Sequence, residues 1–233
     1  MSSRLYVTNE RALNEVEEPA PEGVSPVLRF FAKLLSVVFH PLFIPVYISG
    51  LLIITPPYFL GFAPHEKGIA FMRFFMIYSF FPLVTVLLIK GLGFVDSIFL
   101  RTRRERIIPY IACGIFYFWM WYVLRNQPHF AREVVELALG IFIASSLGLI
   151  GNIYMKVSMH GISMGILVAF VGYITLHNSG NLLPWLVLAI FIAGLVCTAR
   201  LLVSNHTQRE IYVGLFIGAI SQIIAFNVDF LTS

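Results

Sequence analysis

The sequence predicts an all-α, polytopic membrane helical bundle with six core transmembrane helices and a proline-kinked N-terminal helix. Composition is the first observation behind that expectation. Of 233 residues, 58% are hydrophobic and only 12% charged, whereas a soluble domain carries roughly 25% charged residues. The second is segmentation: apolar runs fall at 28–55, 69–90, 107–125, 135–155, 161–178, 183–199 and 211–230. Most are close to the ~20 residues that cross a hydrocarbon core about 30 Å thick. The third is that helices are the spanning structure available here, because open backbone cannot be left unsatisfied in lipid.

Taken in order, residues 1–27 are polar and acidic and hold few apolar side chains, so a disordered tail and no cleavable signal peptide are expected. Residues 28–233 then form one transmembrane helical domain. Its first run is broken by Pro41 and Pro45 in "FHPLFIPVY", and each proline removes a backbone donor and crowds the preceding turn. An interfacial helix over 28–39, carrying Arg29 and Lys33, followed by a short spanning piece fits that pattern. The second run contains Pro82, the later runs are cleaner, and the connections after the third are short. No internal repeat points to an inverted-repeat transporter. Cys113 and Cys197 fall within or at the ends of spans and read as small apolar residues.

If the second to seventh runs each cross, loops 91–106, 156–160 and 200–210 share one face. They hold "RTRRER", "KVSMH" and "RLLVSNHTQRE", so the basic and histidine-containing motifs meet there. In "KVSMHG" Lys156 brings a charge, Ser158 a hydroxyl and His160 a titratable imidazole. Gly161 opens a helix whose first N–H groups lack internal partners, which makes an anion site or simply a capped helix start with a snorkelling lysine. His206 and Glu210 are spaced i, i+4, so a helix start would put carboxylate beside imidazole. Such a pair fixes the tautomer of a nucleophile or base, though it could also be an ordinary polar turn. Arg200 can direct a planar fork at a phosphate oxygen. "RTRRERIIP" over 101–109 adds Arg101 and Arg106 as further phosphate contacts, or forms a plain basic loop. Together these groups suit phosphoryl transfer: one histidine attacks phosphorus, cations stabilise the equatorial oxygens, and the other histidine protonates the leaving oxygen.

The pattern resembles the membrane-bound type 2 phosphatidic acid phosphatase (PAP2) superfamily, whose motifs are Lys-x6-Arg-Pro, Pro-Ser-Gly-His and Ser-Arg-x5-His-x3-Asp. Arg200-x5-His206-x3-Glu210 follows the third spacing, with Ala199 for serine and Glu for aspartate. "VSMH" follows the second at Ser158 and His160, with Val157 for proline and Met159 for glycine. The first retains basic residues and Pro109, but Ile108 stands where the family has arginine and Arg106 is out of register. The resemblance covers about residues 100–215 and places this chain in a divergent branch.

The resemblance implies a metal-independent lipid phosphatase without a cofactor, acting on a phosphatidate, phosphatidylglycerol phosphate, polyprenyl diphosphate or lipid A class of substrate. It implies His206 as nucleophile forming a phosphohistidine, Glu210 as its orienting partner and His160 as acid. Arg200, Ser158, Gly161, Lys156 and Arg101 or Arg106 would hold the phosphate. A place in the cytoplasmic (inner) membrane of a bacterium follows, with no nucleic-acid partner. With seven spans the tail shares the motif face, and together they carry 12 of the 16 Lys and Arg. Most belong to the candidate site, and if the first run does not span, the tail parts from the motif loops, so the side of the membrane stays open.

Other classes fit less well. There is no His-Glu-x-x-His and no cysteine cluster for a metal. Ion-coupled transport places ionisable groups at mid-membrane, whereas here Glu136 lies near a span end and Asp96 and Glu210 lie in or beside loops. The alternative from another class is a non-catalytic, lipid-binding protein of the same fold. Of the other histidines, His65, His129 and His177 read as interfacial or loop residues, and His40 in "FHP" as the one that lines the site mouth.

Overall fold

The computed structural model describes residues 5–9, 12–15, 25–95, 100, 102–178, 180–203 and 206–228. Near the N-terminus, β1 (Leu5–Asn9) pairs antiparallel with β2 (Ala12–Glu15), with Val7 opposite Leu13. Composition predicts a tail without structure, but "LYV" is a local cluster of strand-forming residues that a whole-segment average hides. The other described residues are helices and their connections.

The first apolar run divides completely. α1 (Pro26–Val38) starts with Pro26 in the first turn, where a missing N–H costs nothing, and Leu28 N–H donates to Ser25 Oγ at 3.2 Å. Ala32 and Ser36 are its buried face, while Phe30, Phe31, Leu34, Val37 and Val38 point outward. This strongly one-sided helix suits the membrane interface. α2 (Ile44–Ile54) begins after a turn containing Pro41 and takes Pro45 in its own first turn. Its 11 residues rise only about 16 Å. Even so, His40 before it lies against His160 at the start of α7, and the residues after it meet the other end of that helix. There Asn178 Nδ2 donates to Pro56 O at 3.0 Å and Tyr58 Oη at 3.1 Å. With its flanks, α2 joins the two faces.

Among the described residues, six helices are long and apolar enough to cross a membrane, and the protein is an integral membrane protein. The first combines α3 (Pro64–Phe75), a π-helical turn (Met76–Phe80) and α4 (Phe81–Gly91). Pro82 cannot donate to Tyr78, and the wide turn just before it accommodates its ring. The others are α5 (Arg103–Arg125), α6 (Arg132–Tyr154), α7 (Met159–His177), α8 (Leu183–Val203) and α9 (Gln208–Phe226). They run 19 to 23 residues, or about 28–35 Å.

α6, α7 and α9 form the centre, with α5 against α6, α8 against α7 and α1 against α8. The closest joint is between α7 and α9, which run parallel from the same face. Gly161 and Gly165 of α7 oppose Gly214 and Gly218 of α9, four residues apart on each helix. A Cβ at Gly161 would lie 2.7 Å from Ile211 O, and one at Gly214 would lie 2.6 Å from Ser158 O. Small residues at this spacing let backbones approach in lipid, where no hydrophobic force drives helices together. At the far face, buried Glu136 pairs with Arg132 at 2.6 Å, and Gln222 Nε2 donates to Glu136 O at 3.2 Å, tying α6 to α9.

Candidate functional site

The chain alternates direction, so α5, α7 and α9 all start at one face, where α8 ends. Helix starts bring unpaired N–H groups and a positive dipole end. The histidines and the arginines Arg106 and Arg200 gather there.

The start of α9 builds the His–Glu pair. Thr207 caps the helix: Glu210 N–H donates to Thr207 Oγ1 at 3.3 Å, and Thr207 N–H donates to Glu210 Oε2 at 3.1 Å. That reciprocal box fixes the carboxylate, and the same Oε2 accepts from His206 Nδ1 at 2.9 Å. With its proton on Nδ1, a neutral His206 presents a lone pair at Nε2. The imidazole is 4% exposed and the carboxylate 16%, so the pair is nearly out of bulk solvent. Burial is the largest influence on His206 and lowers its pKa. Arg106 and Arg200 lower it further, while the hydrogen bond and charge of Glu210 oppose them. The ring is therefore neutral at pH 7.

α7 contributes His160 in its first turn. Its Nε2 lies 3.0 Å from Ser36 O of α1, to which it donates. The carbonyl orients this ring as Glu210 orients His206, and leaves Nδ1 to gain or lose a proton. His160 is within electrostatic reach of Arg200, His40 and His206. Ser158 Oγ caps α7 by accepting from Gly161 N–H at 3.2 Å, and Ser158 N–H donates to Glu210 O at 3.2 Å. Ser158 is fully buried and Gly161 lies against the backbone of α9. Both residues serve the α7–α9 joint beneath the imidazoles. Lys156 is half-buried in the same turn.

The start of α5 supplies the arginine. Thr102 and Glu105 form a second capping box, and the helix begins at Arg103, so Pro109 lies almost two turns in. Arg106 is 6% exposed while Ile108 is 41% exposed. Helical spacing explains the difference: Arg106, Pro109, Tyr110 and Tyr117 share the inward face, and Ile107, Ile108 and Ile111 face out. The inward cation is therefore Arg106, although motif spacing alone points to position 108. Arg106 Nε donates to Leu100 O and Nη1 to Val157 O, each at 2.9 Å, and these bonds join α5 to the turn that carries His160. Arg200 occupies the last turn of α8 and is coupled electrostatically to Arg106. Arg101 lies outside the described residues.

The structure thus brings Arg106, His160, Arg200, His206 and Glu210 to one cluster, and adds His40. The ring of His40 meets His160 edge to face with centroids 5.6 Å apart. His129 and His177 pack at the far face, on Phe130 and Tyr173. The carbonyl of Ser36 carries no sequence signal. The paired four-residue glycine spacing was readable, but not which helices it would join. Among the described residues, no three His, Cys, Asp or Glu side chains are grouped to hold a metal ion.

Fold and cluster together define a class: an integral membrane helical protein with a buried histidine–carboxylate–arginine site at one face. No protein family, no curated protein and no solved structure matches the chain.

Proposed function

We propose that this protein is an integral membrane phosphatase that hydrolyses a lipid phosphate or diphosphate through a phosphohistidine, as a divergent relative of the type 2 phosphatidic acid phosphatases. The observation that carries the reading is the His206–Glu210 pair at 2.9 Å, with Arg106 and Arg200 both acting on its imidazole. In the first step His206 Nε2 forms a bond to phosphorus as the P–O bond to the leaving group breaks. His160, protonated at Nδ1 and held by Ser36 O through Nε2–H, gives its proton to the leaving oxygen. In the second step water attacks phosphorus, His160 Nδ1 takes a proton from it, and the P–N bond breaks to release inorganic phosphate. Arg106 and Arg200 stabilise the equatorial oxygens.

The site lies where helices meet the interface, so a lipid presents its phosphate while its chains stay in the bilayer. Phosphatidate, phosphatidylglycerol phosphate, a polyprenyl diphosphate and a lipid A phosphate all meet that requirement. The test is hydrolysis by purified protein in detergent, with a chelator present. Wild type should turn over at least one of these lipids and form an acid-labile phosphohistidine. His206→Ala should lose at least about 10³-fold in kcat while keeping its helical content. An inactive wild type across all four lipids would replace this reading with that of a non-catalytic lipid-binding protein.

A further inference from the structure

His40 is not part of the chemistry described so far, yet it is the side chain outside α7 whose ring lies on His160. It follows α1 in the turn "FHPLF", which Phe43 N–H closes by donating to His40 O at 2.8 Å. Leu42 N–H points at His40 Nδ1 from 3.4 Å, a long bond that makes Nδ1 an acceptor. The neutral ring then carries its proton on Nε2. Its other ring contact is Phe43, with centroids 6.2 Å apart. Burial, with a smaller contribution from the Arg200 charge, lowers its pKa to about 4, so the ring stays neutral at pH 7.

The position of His40 within the cluster is informative. Its ring meets that of His160 with centroids 5.6 Å apart, and the Arg200 charge reaches both rings. His206 is instead held by Glu210, at 2.9 Å. His40 therefore sits on the side of His160, which under the phosphatase reading is the side of the leaving group. Ser36 O engages only Nε2–H of His160, so until Nδ1 gains its proton that ring has no second N–H for a ligand. Neutral His40 offers the imidazole N–H on that side of the site.

We infer that His40 is a substrate-contacting residue that donates its Nε2–H to the leaving-group oxygen. This inference rests on the phosphatase reading. No proton leaves His40: it stabilises charge on that oxygen, and His160 supplies the proton. A neutral, preorganised donor in a dry site strengthens as charge develops on the acceptor. The same turn ends α1, so the interfacial helix carries both the carbonyl that orients His160 and the donor beside it.

The experiment compares wild type, His40→Phe and His40→Gln on phosphatidate and on p-nitrophenyl phosphate, with orthovanadate binding as a third readout. From phosphatidate the leaving group is the diacylglycerol oxygen, a basic alkoxide unless it is protonated, whereas nitrophenolate needs little help. His40→Phe should lower kcat on phosphatidate about 10²-fold and on p-nitrophenyl phosphate less than about 3-fold. His40→Gln, which retains a donor, should recover about 10-fold of the phosphatidate loss. Vanadate mimics the phosphoryl group on His206 without a leaving group, so its affinity should stay within about 3-fold in both variants. Equal losses on both substrates, weakened vanadate binding, or unchanged phosphatidate turnover would each overturn the inference. If His40→Phe loses helical content, His40→Gln and His40→Asn carry the comparison. A wild type that neither hydrolyses these substrates nor binds vanadate would sink the phosphatase reading, and this inference with it. A wild type active on both, with insensitive His40 variants, would sink this inference alone.

Discussion

Substituting alanine for Gly214 would test whether the α7–α9 joint holds the site together. The new Cβ would lie 2.6 Å from Ser158 O, 3.2 Å from Ile162 N and 3.3 Å from Gly161 Cα. Ordinary contact begins near 3.4 Å, so α9 must retreat from α7 by about 0.8 Å at that level. Every atom in the way is backbone, and none can rotate aside. Overpacking costs about 1–3 kcal/mol, and a rigid neighbour puts this case near about 3 kcal/mol. A gap of that size forfeits about a quarter to a half of each dispersion contact along the seam. Lipid supplies no compensating hydrophobic force between helices. The same retreat stretches the 3.2 Å bond from Ser158 N–H to Glu210 O towards about 4 Å, beyond hydrogen-bond reach. That bond links the helix of His160 to the helix of His206, so a shift near 1 Å should cost about 10²-fold in turnover. Stability is read from loss of helicity on titrating SDS into dodecylmaltoside micelles, and turnover from phosphate release. Gly194→Ala in α8 is the control, because nothing lies within 4 Å of its Cβ. It should be neutral or stabilising by up to about 1 kcal/mol. Equal stability of the two variants would refute the account of the joint.

Glu210→Gln removes the hydrogen bond to a charged carboxylate and the charge that favour protonated His206, while burial and both arginines still lower its pKa. The acid limb of kcat/KM should lie below pH 6.5 in wild type and move lower in this variant, with a reduced plateau; an upward move would contradict the pairing. Arg106→Lys keeps a charge but cannot bridge Leu100 O and Val157 O, and should lower kcat/KM about 10²-fold. Ile108→Arg should not rescue it, because that position faces outward, and recovery would show the inward register to be mistaken. α2 with its flanks reaches from His160 to Asn178, the two ends of α7, so cysteines introduced at Ser25 and Thr207 should be labelled by an impermeant maleimide from one side of sealed vesicles and a cysteine at His129 from the other. Labelling of positions 25 and 207 from opposite sides would show that the α2 segment does not cross.

The spans were legible because length and hydropathy are local properties, and six predicted runs each coincide with a helix to within a few residues. The ends were less legible, because capping decides them. Thr102 with Glu105 starts α5 before the apolar run, and α8 continues past position 199 so that Arg200 rides on its last turn. The His206–Glu210 contact was readable from i, i+4 spacing, since both ends belong to one helix start. Arg106 was ambiguous for the opposite reason: a motif counts residues linearly, whereas the helix sorts them by a 3.6-residue period. Ser158 and Gly161 read as anion ligands in isolation, and their engagement with α9 depends on a helix about 50 residues away, which no local pattern encodes. His40 was placed at the site mouth from its proline neighbour alone. That its partner would be His160 required α1 to fold back across α8.

The electrostatics of the cluster give a reason for burying these groups under helix ends instead of leaving them in open loops. Water around His206 would hold its pKa near the ordinary 6.5, and a substantial fraction would be protonated and unable to attack at neutral pH. Burial and the two guanidinium groups reduce that fraction, and burial with Arg200 lowers the His40 pKa to about 4. The cost is a desolvated positive field with Glu210 as the carboxylate held at His206. Arg106 tolerates that field because two backbone carbonyls accept from it. Under the phosphatase reading, a phosphate dianion reverses the field at the moment it binds. It is drawn in by the arginines, meets an imidazole already neutral, and favours a proton on the imidazole across from it. One arrangement then prepares the nucleophile in the empty site and the acid in the filled one. The order matters, because a site that protonated its histidines before the anion arrived would bind phosphate well and transfer it poorly.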